Sequence, residues 1–224
     1  QIALENTTRE DPSLRYSRDP KTEQFTIQGM GKLHLDVSLY NMKQKYKIDA
    51  DFGPIEVDYK ECVTVPTRPQ YTVFDRPVAS KNGKASCTAV LEPLEEHHRE
   101  SLLESSVERD GNIYHIAIPL TDETSNLSFD PEEARQQLLN GAIAGLARGP
   151  RRAAPVHGCH VTITLDTEPG GCETPTGGHF SSVARIAVQA ALRDAFEKEH
   201  IGILEPIMLV NITCPEVVAG TVQH

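Results

Sequence analysis

The chain alternates between two hydrophobic periods, and each change of period marks an element. Residues 1 to about 10 read as the end of a helix, which Asp11-Pro12 breaks. Leu14–Ser17 and Phe25–Gln28 read as short strands around the turn Asp19-Pro20-Lys21-Thr22. From Gly31 to Tyr46 the apolar positions Leu33, Val37 and Tyr40 recur at helical spacing. Ile48, Ala50 and Phe52 then alternate, as do Ile55, Val57 and Tyr59 after Gly53-Pro54. This order predicts a small α+β sandwich with helices on one face of an antiparallel sheet.

A seam falls near Cys62–Pro69, where Pro66 and Pro69 punctuate an extended run from Val63 to Phe74. Asp75–Lys84 follows as a basic loop holding Arg76, Lys81 and Lys84, with Asn82-Gly83 as its hairpin signal. Cys87–Leu94 reads as the returning strand. Glu95 to Gly111 is acidic and polar and reads as a surface insertion. Ile113–Ile118 returns as a strand. Asp130-Pro131-Glu132-Glu133 is a helix start with a cap, a first-position proline and acids at the positive dipole end. Leu138, Leu139, Ala142, Ile143 and Leu146 make its stripe, and Gly149-Pro150 ends it. Val161, Ile163 and Leu165 alternate with threonines in a strand. A loop from Glu168 to His179 and a helix from about Ser181 to Lys198 follow. Ile203–Ile212 reads as the first strand of a further domain, and Pro215-Glu216 as a new helix start. The expected domains are therefore 1–62, 63–200 with an insertion near 95–111, and a truncated 201–224.

The 224 residues suffice for one large or two ordinary domains. An apolar fraction of 38% and a charged fraction of 24% suit a soluble globular chain. No run approaches the roughly 20 apolar residues that span a bilayer. The start lacks methionine and reads as helix interior, and the end looks interrupted, so an excised fragment is expected. The formal charge of −10 is the wrong sign for a free-standing nucleic-acid binder. Any RNA contact must be local, set by charges within a Debye length of about 8–10 Å. Cys62, Cys87, Cys159, Cys172 and Cys214 are odd in number and scattered, as expected of reduced thiols.

Candidate chemistry is thin. No nucleophile elbow, zinc-protease helix or phosphate loop is present. His157-Gly158-Cys159-His160 is a metal hint without two further ligands nearby, and reads better as strand residues beside a turn. His179 beside Ser181 and Ser182 suggests a cap rather than a base and nucleophile. His97-His98 reads as solvated and His34 as structural. Arg148, Arg151 and Arg152 cluster at a helix exit, where they either complement the dipole or meet RNA. No catalytic, cofactor-binding or metal residue is assigned.

Three segments carry a resemblance: Arg9–Leu14, Gly29-Met30-Gly31-Lys32-Leu33-His34-Leu35-Asp36, and Val57-Asp58-Tyr59-Lys60-Glu61. In that order they resemble domain III of the elongation factor G family of translational GTPases. Residues from about Cys62 to His200 resemble its domain IV. There Gly149-Pro150, followed by Ala154-Pro155-Val156, looks like a Gly-Pro-x-x-Gly-x-Pro-Val turn with alanine at the second glycine. Leu204-Glu205-Pro206-Ile207-Met208 resembles the entry to domain V. The resemblance implies a ferredoxin-like domain III followed by a domain IV similar to the ribosomal-protein S5 fold. It implies a projecting tip that contacts the ribosome or the ribosome-recycling factor. Carried over, that tip comprises Arg76, Lys81, Asn82 and Lys84, with Gly170, Gly171, Glu173, Thr174, Thr176 and His179. Translocating members carry His-Asp-x-Asp-Ser-Ser in the second loop and a glycine-rich first loop, and this chain has neither. It is thus most similar to the mitochondrial ribosome-releasing branch. The implied function is coupling of GTP hydrolysis, in a domain absent from this sequence, to ribosome disassembly in the mitochondrial matrix. A translocating elongation factor and a ribosome-protection protein are the alternatives, and a bacterial homologue would be cytoplasmic. The chain itself is expected to be a monomer with no enzyme activity, no cofactor and no membrane contact. GTP and Mg belong to the implied parent, and rRNA and the recycling factor are the implied partners.

Overall fold

The computed structural model describes all residues except 1, 21, 49, 95–105, 120–127, 208–214 and 216–224. The chain divides into a unit on Gln1–Val57 and a second spanning Asp58–Glu205. Both are mixed α+β, the class expected from the sequence.

In the first unit α1 (Ile2–Glu10) buries Leu4, and Asp11 N–H still bonds to Thr7 O at 2.9 Å before Pro12 ends the helix. β1 (Arg15–Arg18) and β2 (Phe25–Gln28) form an antiparallel hairpin in which Arg15 faces Gln28. α2 (Lys32–Tyr46) stops at Lys47, which sits in the left-handed region with φ 49°. The expected apolar stripe of α2 faces outward: Leu33 is 77% and Tyr40 63% exposed, and Val37 is exposed too. Ser38 and Met42 are buried instead. The cause lies one turn away. Met30 N–H donates to His34 Nδ1 at 3.0 Å, so the other ring nitrogen carries the proton and donates to Asp11 Oδ2 at 2.8 Å. These bonds turn the His34 side of the helix toward the Asp11 corner. A second expectation also fails. Residues 51–59 form no strand, and Ile55 and Val57 are exposed. Alternation makes a strand only where a partner edge is available.

The second unit is built on a five-stranded sheet. In chain order its strands are β4 (Gln70–Asp75), β5 (Lys84–Pro93), β6 (Val107–Arg109), β7 (Asn112–Ala117) and β8 (Cys159–Leu165). Their spatial order is β4-β5-β8-β7-β6. β8 is antiparallel to β5 and parallel to β7. α3 (Pro131–Leu146) joins β7 to β8, and α4 (Gly177–Glu197) follows β8. Cys87, Ala89 and Leu91 of β5 and Val161, Ile163 and Leu165 of β8 share one core with Leu138 and Ala142 of α3 and Val183, Ala187 and Ala191 of α4. Asp130 caps α3 by accepting from Glu132 N at 3.0 Å, with Pro131 in the first turn. The helices cross where Gly141 meets Ser181. A Cβ on Gly141 would stand 2.2 Å from Ser181 O, so only glycine permits that approach.

Part of the expected surface insertion is sheet. Val107–Arg109 pairs with β7 through the Asp110-Gly111 turn, whose two residues both have positive φ (52° and 72°). His97-His98 and the rest of that segment lie outside the described residues. The last strand also differs from expectation. β9 is Ile201–Leu204, and it pairs antiparallel with β3 (Lys60–Val63) in the same unit. The helix start expected at Pro215-Glu216 falls on residues that are largely undescribed.

Candidate functional site

The two candidate loops meet at one end of the five-stranded sheet. β5 and β8 are antiparallel, so the loop entering β5 and the loop leaving β8 emerge side by side. In the first loop Val78 and Lys81 exchange backbone hydrogen bonds at 3.0 Å. The reversal lies at Ala79-Ser80, with φ 49° and 66°, and not at the expected Asn82-Gly83. Gly83 serves the approach of the second loop instead. A Cβ there would lie 2.7 Å from Thr174 O and 2.8 Å from His179 Cε1.

The second loop is anchored by Asp166, which follows β8. Its carboxylate accepts from Glu168 N–H at 3.1 Å and from the Tyr71 hydroxyl at 2.8 Å. Gly170 has φ 91°, a conformation that suits glycine. The loops are then stitched together: Lys84 N–H donates to Glu173 O at 2.9 Å, and Glu173 N–H donates to Lys84 O at 3.0 Å.

His179 ties the junction from below. Its Nδ1 accepts from Thr176 N–H at 3.1 Å, so Nε2 carries the proton and donates to Arg76 O at 3.1 Å. The Thr176 hydroxyl lies 2.7 Å from Nδ1, and together these contacts form a capping box at the start of α4. The ring is edge-on to Phe74, with centroids 5.9 Å apart.

The expected loop residues therefore divide. Arg76, Lys81, Asn82, Gly170, Glu173 and Thr174 are exposed on the joined loops, whereas Lys84 and Thr176 are half-buried. Gly171 is buried, and a Cβ on it would press 2.6 Å from Asp166 Cγ. His179 is 0% exposed, so it is a strut within the junction, and its side chain has no face to offer a partner. Glu173 places an acid among the cations, so the exposed surface is mixed in charge.

Arg148, Arg151 and Arg152 are not brought to these loops. They lie before β8, whereas the second loop leaves its far end. Arg151 Nη1 donates to Ile201 O at 2.9 Å, and the Arg152 guanidinium stands 4.9 Å over the Tyr59 ring. The metal hint disperses as well. Cys159 Sγ is buried toward the core, where burial pushes its thiol up to about 12. His160 Nδ1 faces Glu92 Oε2 at 3.2 Å, and His157 Nδ1 lies 3.0 Å from Asp110 O. Ser181 Oγ donates to Gly178 O at 3.3 Å while the His179 ring points elsewhere, so no base meets a nucleophile. The sequence reading gave no role to Asp166, Tyr71 or the buried Glu61. Tyr71 and Glu61 sit in strands and Asp166 just after one, and only a distant partner distinguishes each.

The chain is similar to proteins of the elongation factor G kind. Residues 1–54 match the family described as Elongation Factor G, domain III. Along its whole length the chain is 38% identical to a protein of Talaromyces marneffei named "Ribosome-releasing factor 2, mitochondrial". The Drosophila melanogaster protein of that name is 31% identical over 95% of the chain. "Elongation factor G 1" of Bdellovibrio bacteriovorus is 25% identical over 98% of it. The chain spans about a quarter of the length of these relatives: 26%, 26% and 28%. A crystal structure from Thermus thermophilus shares the fold over 90% of this chain and 26% of its own, with a TM-score of 0.55 at 19% identity.

Proposed function

We propose that this chain is the ribosome-directed arm of a mitochondrial ribosome-releasing factor, acting in the disassembly of ribosomes after translation. The observation that carries the reading is the pair of stitched loops, taken with 38% identity along the whole chain to a relative of that name. Two loops joined by reciprocal backbone bonds and braced by His179 move as one body, so they can transmit a push. Their exposed cations, Arg76 and Lys81, supply local phosphate contacts on an otherwise acidic chain. GTP and Mg would be bound by another domain of the longer protein, whose GTPase step drives the arm. The ribosome-recycling factor is the protein partner in this reading, the mitochondrial matrix the compartment, and a monomer the working form.

The similarity to an elongation factor G of Bdellovibrio keeps translocation as the second reading. The second loop opposes it, because Cys172-Glu173-Thr174-Pro175 stands where translocating members carry their acidic-serine motif. Splitting of mitochondrial ribosomes by the full-length protein, followed by light scattering, tests the proposal. Arg76→Glu with Lys81→Glu should slow splitting severalfold, more so at low salt. Unchanged rates at moderate salt would overturn it. A defect confined to peptide-coupled translocation would transfer the assignment to the second reading.

A further inference from the structure

At the other end of β8, the turn that leaves α3 is held from within by a buried carboxylate. Glu61 of β3 is 0% exposed. Its carboxylate accepts from Arg152 N–H at 2.7 Å, Arg151 N–H at 3.0 Å and Ala154 N–H at 3.3 Å. Its own backbone closes the contact: Glu61 N–H donates to Pro155 O at 2.9 Å, and His157 N–H donates to Glu61 O at 2.8 Å. Gly149 makes room, since a Cβ there would stand 2.3 Å from Glu61 Oε2. Convergent backbone N–H groups form a concavity that binds anions, and here the chain's own carboxylate fills it.

The consequence concerns the arginines. The backbone of Arg151 and Arg152 is fixed by Glu61, whose negative charge is engaged beneath the turn. Arg151 is pinned on Ile201 O, and the Arg152 plane lies over Tyr59. The exposed Arg148 guanidinium makes no hydrogen bond or ion pair among the described residues. The Arg151 and Arg152 guanidiniums, each held on one side, are exposed and keep further N–H groups on the other. Planar donor forks of this kind match phosphate oxygens in pairs, which a mobile lysine does not. An acidic chain repels RNA at large, so a preorganised turn is the form in which a small basic patch can bind it.

We propose that the Arg148–Ala154 turn is a second RNA-contacting surface, in which Arg148, Arg151 and Arg152 grip backbone phosphates and Glu61 holds the backbone of Arg151 and Arg152 in position. The proposal rests on the ribosome-directed reading above and adds a contact separate from the stitched loops.

The test is anisotropy of a fluorescein-labelled 20-nucleotide RNA hairpin titrated with this chain, from about 50 to about 200 mM salt, a range in which phosphate binding weakens steeply. Arg148→Gln with Arg152→Gln should flatten the slope of log K against log salt by about 0.9 for each phosphate no longer gripped. Glu61→Gln should weaken binding severalfold while leaving that slope in place, because the cations remain and only their positions loosen. Arg148→Gln alone keeps the proposal falsifiable, since that side chain supports nothing in the fold. An unchanged slope in both arginine variants overturns the proposal, as does equal competition by polyglutamate and RNA. Loss of RNA binding only in an Arg76→Gln, Lys81→Gln variant also overturns it, and leaves the ribosome-directed reading standing.

Discussion

Replacing His179 with alanine should uncouple the two loops. The ring is wholly buried and makes two assigned hydrogen bonds, accepting from Thr176 N–H and donating to Arg76 O. Each net hydrogen bond contributes about 1 kcal/mol, and emptying the ring's site adds a cavity cost of about 2 kcal/mol, for a loss of about 4 kcal/mol in this unit. Arg76 is exposed and Thr176 half-buried, so water can reach the freed groups. The desolvation penalty is therefore reduced, and about 3 kcal/mol is the better expectation. A chain of two units is not assured to unfold in one step, so a single melting temperature is a poor readout. Hydrogen exchange followed by mass spectrometry resolves the effect. Amides of Lys84 and Glu173, which bond each other across the loops, should exchange about a hundredfold faster, corresponding to about 3 kcal/mol of lost protection. Amides of β8 should slow or quicken far less. Unaltered exchange at Lys84 and Glu173, with the unit otherwise folded, would refute the view of His179 as the brace.

Other outcomes follow from the same geometry. Gly141→Ala places a methyl 2.2 Å from Ser181 O. The gain in helix propensity is at most about 1 kcal/mol, whereas overpacking costs about 1–3 kcal/mol, so urea titration should show net destabilisation. Asp11 tests the corner of the first unit by pH. The Ser13 hydroxyl and then His34 hold its carboxyl below the usual 3.8. A depressed value means the contribution is fully present above the unfolded pKa and is lost as pH falls through the lowered folded value. Asp11→Asn should therefore remove part of the acid sensitivity of this unit, read from His34 ring signals by NMR between about pH 5 and pH 2. Identical acid titrations in both forms would show that the Asp11–His34 contact contributes nothing.

Much of the architecture was written in local chemistry. Asp130-Pro131 and Gly149-Pro150 bracket α3 because capping and proline geometry act within a few residues. The alternation of Val161, Ile163 and Leu165 marks β8 because one face must be apolar wherever a sheet covers a core. Other features depended on partners far along the chain. α2 is apolar on more than one side, and its inward face follows His34, tied to Asp11 at a separation of 23 residues. The Asn82-Gly83 turn signal was displaced because Gly83 is needed where Thr174 and His179 approach. Glu61 looked like any polar strand residue until the turn bearing Arg151, 90 residues later, closed over it.

The α+β class, the helix and strand cores such as α3 and β8, and the family resemblance were determined by the sequence alone, since each rests on periodicities and turn residues that operate at short range. Which residues of the two loops face solvent, which brace them, and which cations are held ready were decided only by tertiary structure. The physical reason is that a buried polar group takes its role from the partner that satisfies it, and that partner is chosen when distant segments pack.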